Sequence, residues 1–277
     1  MENHTSIDGT FGNQHGRSLL ALLLGDGNPQ AKDQDPMVRS SFSTKPPTAM
    51  ALTQQRSERF RPQAVMMDSA HDALKSHLLL MASNAEECVK IAIQSLMDRE
   101  ESLAKMQKDQ DDVIDQLEMK VDELALSMLG EATKPEDLRF ITMAMRISNE
   151  LERVGDEATT ISRRSLELMK HEPLRLDIPI ESMAQMVTDM LREALDTFVY
   201  RKPDLAREIV LRDKQVDQLN KAIQAQMTET MLKHPDHIVR SLHLMTIAKS
   251  MERIGDHASN IAEQVVFLCE AEDIRHQ

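Results

Sequence analysis

Residues 149–161 read N-E-L-E-R-V-G-D-E-A-T-T-I and residues 249–261 read K-S-M-E-R-I-G-D-H-A-S-N-I, so one motif occurs twice at an offset of 100 residues. Each copy contains a Glu and an Asp four residues apart, Glu152 with Asp156 and Glu252 with Asp256. On an α-helix this spacing places both carboxylates on one face, one turn apart. The motif therefore predicts two equivalent helices, each with a carboxylate pair.

The surrounding chain repeats in the same order. Helical periodicity and the positions of proline predict helices over residues 68–97, 100–129 and 135–170, with Asp98 as the N-cap of the second, and then over residues 180–199, 203–232 and 235–271. An internal repeat of this length is a duplicated domain, too long for a solenoid unit. We therefore predict an all-α protein of two tandem three-helix bundles, residues 66–172 and 178–273, with antiparallel neighbouring helices.

Residues 1–65 differ from the rest of the chain. They are rich in Gly, Ser, Asn, Gln, Thr and Pro and have no sustained periodicity. Such a stretch cannot bury enough apolar surface to offset its conformational entropy. We predict a largely disordered or tethering extension, with a short docking helix at Ser18–Leu24 as the alternative.

Composition excludes several classes of protein. The formal net charge of −13 argues against nucleic-acid binding, which depends on Lys and Arg at phosphates. The two cysteines, Cys88 and Cys269, form no disulfide framework and favour a reducing cytoplasm. No apolar run is long enough for a transmembrane helix, and the short run 19–24 makes a poor signal peptide. These features predict a cytoplasmic protein.

The second helix of each half also carries a carboxylate pair, Asp111 with Asp115 and, at an offset of 102, Asp213 with Asp217. Helical periodicity predicts that all four pairs point away from the core, because they lie opposite apolar stripes. The stripe of the third helix is Ile147, Leu151, Val154, Ala158 and Ile161, and that of the second helix is Leu103, Met106, Val113, Leu117, Val121, Leu124 and Met128.

Two interpretations of these carboxylates remain open. They are either the solvated face of an ordinary bundle helix or the ligands of bound cations. Like charges four residues apart repel by a few tenths of a kcal/mol, and a hard cation such as Mg²⁺, Mn²⁺, Ca²⁺ or iron removes that repulsion. Gly155 and Gly255 each reduce helix stability by roughly 1 kcal/mol relative to alanine in mid-helix. Their presence therefore indicates close approach of a neighbouring helix or of a metal-bridging ligand. Arg153 and Arg253 are each predicted to form a structural ion pair.

Catalysis has little support in the sequence. No Glu is followed by His three residues later, as ferritin-like di-iron oxidases require. His234 and His237 have zinc-like spacing but flank Pro235 and are predicted to be surface residues. The sequence shows no phosphate-binding loop and no arrangement of a nucleophile with a base. We predict that the protein is not an enzyme.

The repeated E-R-[VI]-G-D-x-A, joined in each half to an upstream D-x-x-x-D, resembles the PhoU family of phosphate-uptake and phosphate-signalling regulators over residues 66–273. The resemblance implies two three-helix bundles, homodimers, and metal ions (iron, zinc, manganese or magnesium). It implies that the ligands are Asp111, Asp115, Glu152 and Asp156 in one half and Asp213, Asp217, Glu252 and Asp256 in the other. Extra acids at Asp112 and Glu118 make the number of ions in the first half harder to predict.

The resemblance also implies a function. Members restrain a phosphate-responsive histidine kinase and the ATPase subunit of a phosphate ABC transporter when phosphate is plentiful, and they reach the membrane only through these partners. The alternatives are an accessory protein of another phosphate permease or process, a carboxylate-bridged metalloenzyme, and a helical scaffold without metal.

Overall fold

The computed structural model describes the backbone of residues 49–174 and 176–275, and the side chains from Ser69 to Arg275 except those of Lys108 and Arg175. These residues form six α-helices: α1 Ala49–Asp98, α2 Glu101–Leu129, α3 Pro135–Met169, α4 Ile180–Tyr200, α5 Pro203–Lys233 and α6 Ile238–Glu270. A 3₁₀ turn, Pro235–His237, precedes α6, and the described residues contain no β-strand. The prediction of an all-α fold built from a duplicated bundle is confirmed.

The start of the first helix differs from the prediction. The chain divides into a unit Met1–Arg59, of which only the beginning of α1 is described, and a unit Phe60–Gln277 that contains the bundles. Helix α1 begins at Ala49, so residues 49–65 of the predicted extension are helical. Residues 1–48, and with them the Ser18–Leu24 patch, lie outside the described residues.

The break between α1 and α2 also differs from the prediction. Asp98 is the last residue of α1 and does not cap α2, whose N-cap position is occupied by Glu100. Between them Arg99 has a φ of 53°, in the left-handed region that ends a helix. The Arg99 guanidinium donates to the carbonyl oxygens of Leu168, at 3.1 Å, and His171, at 2.6 Å, so it ties this turn to the end of α3.

The core of α3 follows the predicted stripe, and all five of its apolar residues from Ile147 to Ile161 are buried. The core face of α2 was predicted only in part, since Leu117, Val121 and Met128 of the predicted stripe are buried but Met106 and Val113 are exposed. Ile114 is fully buried, whereas Val113 is 38% exposed and Met106 is 49% exposed. The buried positions of α2 also include Ala104, Gln107, Ile114 and Ala125, so the centre of the buried face lies about 50°, or about half a residue step, from the predicted one.

The two bundles meet along α3 and α6. Helix α2 packs against α3, α4 and α5 pack against each other and against α6, and α3 packs along α6. The hydroxyl of Ser148 on α3 donates to the sulfur of Met81 on α1 at 3.2 Å. The helices that carry the two motif copies are therefore neighbours. Among the described residues, no helix combines the length and apolarity needed to cross a membrane.

Candidate metal centre

The structure brings the four acids of the first half together between α2 and α3. Burial raises the pKa of Asp111, and the charges of Asp115 and Asp156 raise it further. Burial likewise raises the pKa of Glu152, as do the charges of Asp156, Glu118 and Asp115. Glu118, identified in the sequence only as an extra acid, is thus part of the same electrostatic group.

The four acids of the second half meet in the same way between α5 and α6. Burial, followed by the charges of Asp213 and Glu252, raises the pKa of Asp256 from 3.8 to about 6. Burial and the charges of Asp217 and Glu252 raise the pKa of Asp213, which a hydrogen bond with Asp256 partly offsets. Lys249 forms an ion pair with Glu252 and so places a positive charge beside this group.

These carboxylates lie along the seams between helices, which corrects the prediction that all point away from the core. Glu252 is only 9% exposed, Asp111 and Asp213 are half-buried, and Asp115 and Asp156 are exposed. For Asp111, the difference follows from the register of α2, because Ile114 on its buried face brings Asp111 close to the core. Glu252 and the half-buried acids are therefore partly shielded from water, which strengthens their repulsion with neighbouring carboxylates.

The two motif glycines allow the paired helices to approach closely. A Cβ at Gly155 would lie 2.9 Å from the Asp111 Oδ1 atom and 2.9 Å from the Ile114 Cδ1 atom. A Cβ at Gly255 would lie 3.3 Å from the Val216 Cγ1 atom. In both halves the close neighbour is the partner helix, and in the first half a predicted ligand is part of that contact.

The two motif arginines are not equivalent. Arg253 donates from Nη1 to Glu157 Oε1 at 2.9 Å and so links α6 to α3. Arg153 has no ion pair within the described part of the chain. Both line an open groove of about 590 Å³ between α3 and α6, and Asp156 and Asp256 also border it. The prediction of ion pairing therefore holds for Arg253 alone.

A polar contact that sequence reasoning missed also joins the halves. His257 Nδ1 lies 2.7 Å from Glu150 Oε2, and Asn260 Nδ2 donates to the same oxygen at 3.1 Å. Burial alone would raise the pKa of Glu150, but the hydrogen bonds from His257 and Asn260, together with the charges of His257 and Arg153, leave the pKa lowered. No local pattern reveals this contact, because its partners are more than 100 residues apart in sequence.

His234 and His237 stack on each other with ring centroids 5.0 Å apart. His234 is exposed, and His237 Nε2 lies 3.3 Å from an oxygen of Asp236. Among the residues whose side chains are described, no three Asp, Glu, His or Cys side chains converge closely enough to hold a metal ion as they stand. Within that part of the chain, neither the histidine pair nor the eight carboxylates form such a group.

The chemistry of the carboxylate sets nevertheless fits a hard divalent cation. All eight predicted ligands are oxygen donors, which Mg²⁺, Mn²⁺ and Ca²⁺ prefer. Burial is the largest cause of the raised pKa values of Asp111, Glu152, Asp213 and Asp256, and the neighbouring carboxylates, whose repulsion a cation would relieve, raise them further. Binding would require rotation of these side chains toward a common point.

The fold and its paired motifs define a class of protein: a duplicated three-helix bundle with acidic seams. A family model of the PhoU domain matches residues 78–165 and 180–265, one match in each bundle. The chain therefore belongs to the PhoU family.

Named relatives and solved structures agree with this assignment. A phosphate-specific transport system accessory protein PhoU homolog of Pseudomonas aeruginosa is 36% identical over 73% of this chain and 85% of its own length. A relative of the same description from Aquifex aeolicus is 32% identical over 73% of this chain and 92% of its own length. The crystal structure of PhoU from Pseudomonas aeruginosa superposes with a TM-score of 0.72 at 34% identity, and covers 74% of this chain and 99% of the solved one. A PhoU structure from Streptococcus pneumoniae, at 24% identity and a TM-score of 0.70, agrees in fold.

Proposed function

We propose that this chain is a cytoplasmic, metal-binding accessory regulator of phosphate uptake and phosphate signalling. It restrains a phosphate-responsive histidine kinase and the ATPase subunit of a phosphate ABC transporter when phosphate is plentiful. The observation that supports this most directly is the match of both halves to the PhoU domain, together with relatives named as accessory proteins of a phosphate-specific transport system.

The protein acts in this proposal by binding, without chemistry on phosphate. Asp111, Asp115, Glu152 and Asp156 hold cations in the first half, and Asp213, Asp217, Glu252 and Asp256 hold them in the second. The cations supply positive charge that offsets the repulsion along each seam. The chain, as a homodimer, then shifts the kinase and the transporter toward their inactive states through differential binding.

A genetic experiment tests the regulatory role. The gene is deleted in its host, the cells are grown at high phosphate, and a phosphate-regulon reporter is measured. We expect expression to rise in the deletion strain and to be repressed again by the wild-type gene. Persistent repression in the deletion strain would contradict the proposal and would favour an accessory role at another permease or process.

A second experiment tests the metal component separately. Purified wild-type protein and the double variant Glu152→Ala/Glu252→Ala are loaded with Mg²⁺, Mn²⁺, Fe²⁺ or Zn²⁺ and analysed for metal content. Circular dichroism monitors whether each remains folded. We expect the variant to lose bound metal without unfolding. Wild-type protein that binds no metal above background would support a scaffold without metal.

A further inference from the structure

A largely apolar pocket of about 260 Å³ lies where the two bundles join. Its walls are formed by the ends of α1 and α3, the linker 170–179, and the starts of α4 and α6. Ten of its fifteen lining residues are Leu, Ile, Met or Pro, and its volume is slightly below the roughly 300–1,000 Å³ of sites for drug-sized ligands. The pocket therefore fits a small, mainly aliphatic ligand.

The linker supplies one wall of the pocket. Leu174, Leu176 and Ile178 line it and are only partly exposed, whereas the intervening Asp177 is exposed. This alternation is that of an extended segment, in which successive side chains point to opposite sides. Gln226 on α5 donates from Nε2 to the Asp177 carbonyl oxygen at 2.9 Å, which holds the linker in place against the second bundle.

Two arginines, one from each bundle, line the same pocket. Arg99, in the turn between α1 and α2, donates from Nη2 to the carbonyl oxygens of Leu168 and His171. Arg240, in the first turn of α6, donates from Nη1 to the carbonyl oxygen of Glu172 at 3.0 Å. The two guanidinium groups therefore converge on adjacent carbonyl groups at the end of α3.

The positive charge of these arginines is poorly balanced at the pocket. Arg99 forms no ion pair with any residue whose side chain is described. Arg240, only 16% exposed, lies 3.9 Å from Asp236, which is 75% exposed, and the two acids that border the pocket, Glu172 and Glu181, are exposed. Each guanidinium has five N–H donors, and the contacts with carbonyl groups use one nitrogen of each. A partly buried charge is costly unless it is paired, so the pocket favours an anion.

Capping of a helix explains part of this arrangement. Basic side chains at a helix C-terminus bond its last carbonyl oxygens and interact favourably with the helix dipole. That role accounts for the contacts of Arg99 and Arg240 with the end of α3. It does not account for an apolar pocket beside two arginines, since close packing leaves few gaps larger than a water molecule.

We infer that this pocket binds a single-chain aliphatic anion, of the class of medium-chain fatty acids. The carboxylate accepts hydrogen bonds from the guanidinium groups of Arg99 and Arg240, and charge-assisted bonds of this kind are stronger than neutral ones. The chain lies among the aliphatic side chains of the linker and the helix ends. Because both bundles form the walls, the ligand holds them together. This site is independent of the carboxylate seams and of the proposed regulatory function.

Isothermal titration calorimetry of the full-length chain with decanoate tests the inference. We expect saturable binding of decanoate, and at least about tenfold weaker binding of octanoate, which buries two fewer methylene groups. Arg99→Gln and Arg240→Gln should each weaken decanoate binding at least about tenfold, because each removes a charged hydrogen-bond donor. Arg163→Gln, which neutralises an exposed arginine of α3 outside the pocket, is the matched control and should leave binding unchanged. Decanol, which has the chain without the charge, should bind weakly and equally to all four proteins.

Three results would overturn the inference. The first is the absence of saturable decanoate binding to the wild-type protein. The second is equal decanoate affinity in the wild type and both pocket variants, which would indicate non-specific apolar binding. The third is displacement of decanoate by inorganic phosphate, which would show an anion site that does not require the chain.

A further variant covers the case in which the arginine variants do not fold, as monitored by circular dichroism. Leu176→Trp fills the pocket from the linker and leaves both arginines in place. It should abolish decanoate binding, and unchanged affinity would count against the inference.

Discussion

Replacing Asp256 with Asn should stabilise the metal-free protein above pH 6. The folded-state pKa of Asp256 is raised from 3.8 to about 6. A difference of that size corresponds to about 3 kcal/mol, and because the side chain is partly exposed we reduce this to about 1 kcal/mol. The raised pKa means that the cost of ionisation is absent below about pH 4, grows between about pH 4 and 6, and is complete above pH 6. Asp256→Asn removes that cost.

The measurement is urea unfolding of the metal-free wild-type and Asp256→Asn proteins at pH 7.5 and pH 4. We expect the variant to gain about 1 kcal/mol at pH 7.5, or about 2–4 °C in Tm, and to equal the wild type at pH 4. Glu208→Gln, which removes an exposed charge elsewhere on the second bundle, is the matched control and should change little. A variant that gains nothing at pH 7.5, or gains equally at both pH values, would refute the reasoning.

Two further substitution pairs test contacts that the structure assigns. Arg253→Ala removes the ion-pair partner of Glu157, whose side chain is 14% exposed. It should lower the free energy of unfolding, measured in urea, by about 1 kcal/mol, whereas Arg153→Ala should lower it by less than about 0.5 kcal/mol. Equal costs would count against the unequal roles of the two arginines. Ile114→Ala should cost about 2–5 kcal/mol because it empties a buried site, whereas Val113→Ala should cost less than about 1. A larger cost for Val113→Ala than for Ile114→Ala would instead support the predicted stripe, which contained Val113.

Local signals predicted most helix bounds. Pro135 and Pro203 occupy the first positions of α3 and α5, where proline's missing N–H costs nothing, and the pattern located both starts. Capping preferences predicted the break between α1 and α2 less well. Asp98 belongs to α1, and the turn between the two helices depends on the left-handed conformation of Arg99. That conformation is supported by contacts with the end of α3, which no local window of sequence contains.

The core face of α2 was predicted only in part. Val113 and Ile114 are adjacent apolar residues, and a helical wheel alone does not decide which one faces the partner helices. Close packing against Gly155 decides it, because Ile114 Cδ1 fills the space that a side chain there would occupy. The same packing brings Asp111 partly into the interior, which no count of acidic residues predicts.

The sequence by itself determined the duplication, the helical class, the family and the eight carboxylates, because each of these depends on residue identity at fixed spacing along one chain. Only the tertiary structure decided how far each acid is buried, that Arg253 and Arg153 differ, and that Glu150 meets His257. Those properties depend on contacts between helices distant in sequence, which leave Val113 exposed and its neighbour Ile114 buried.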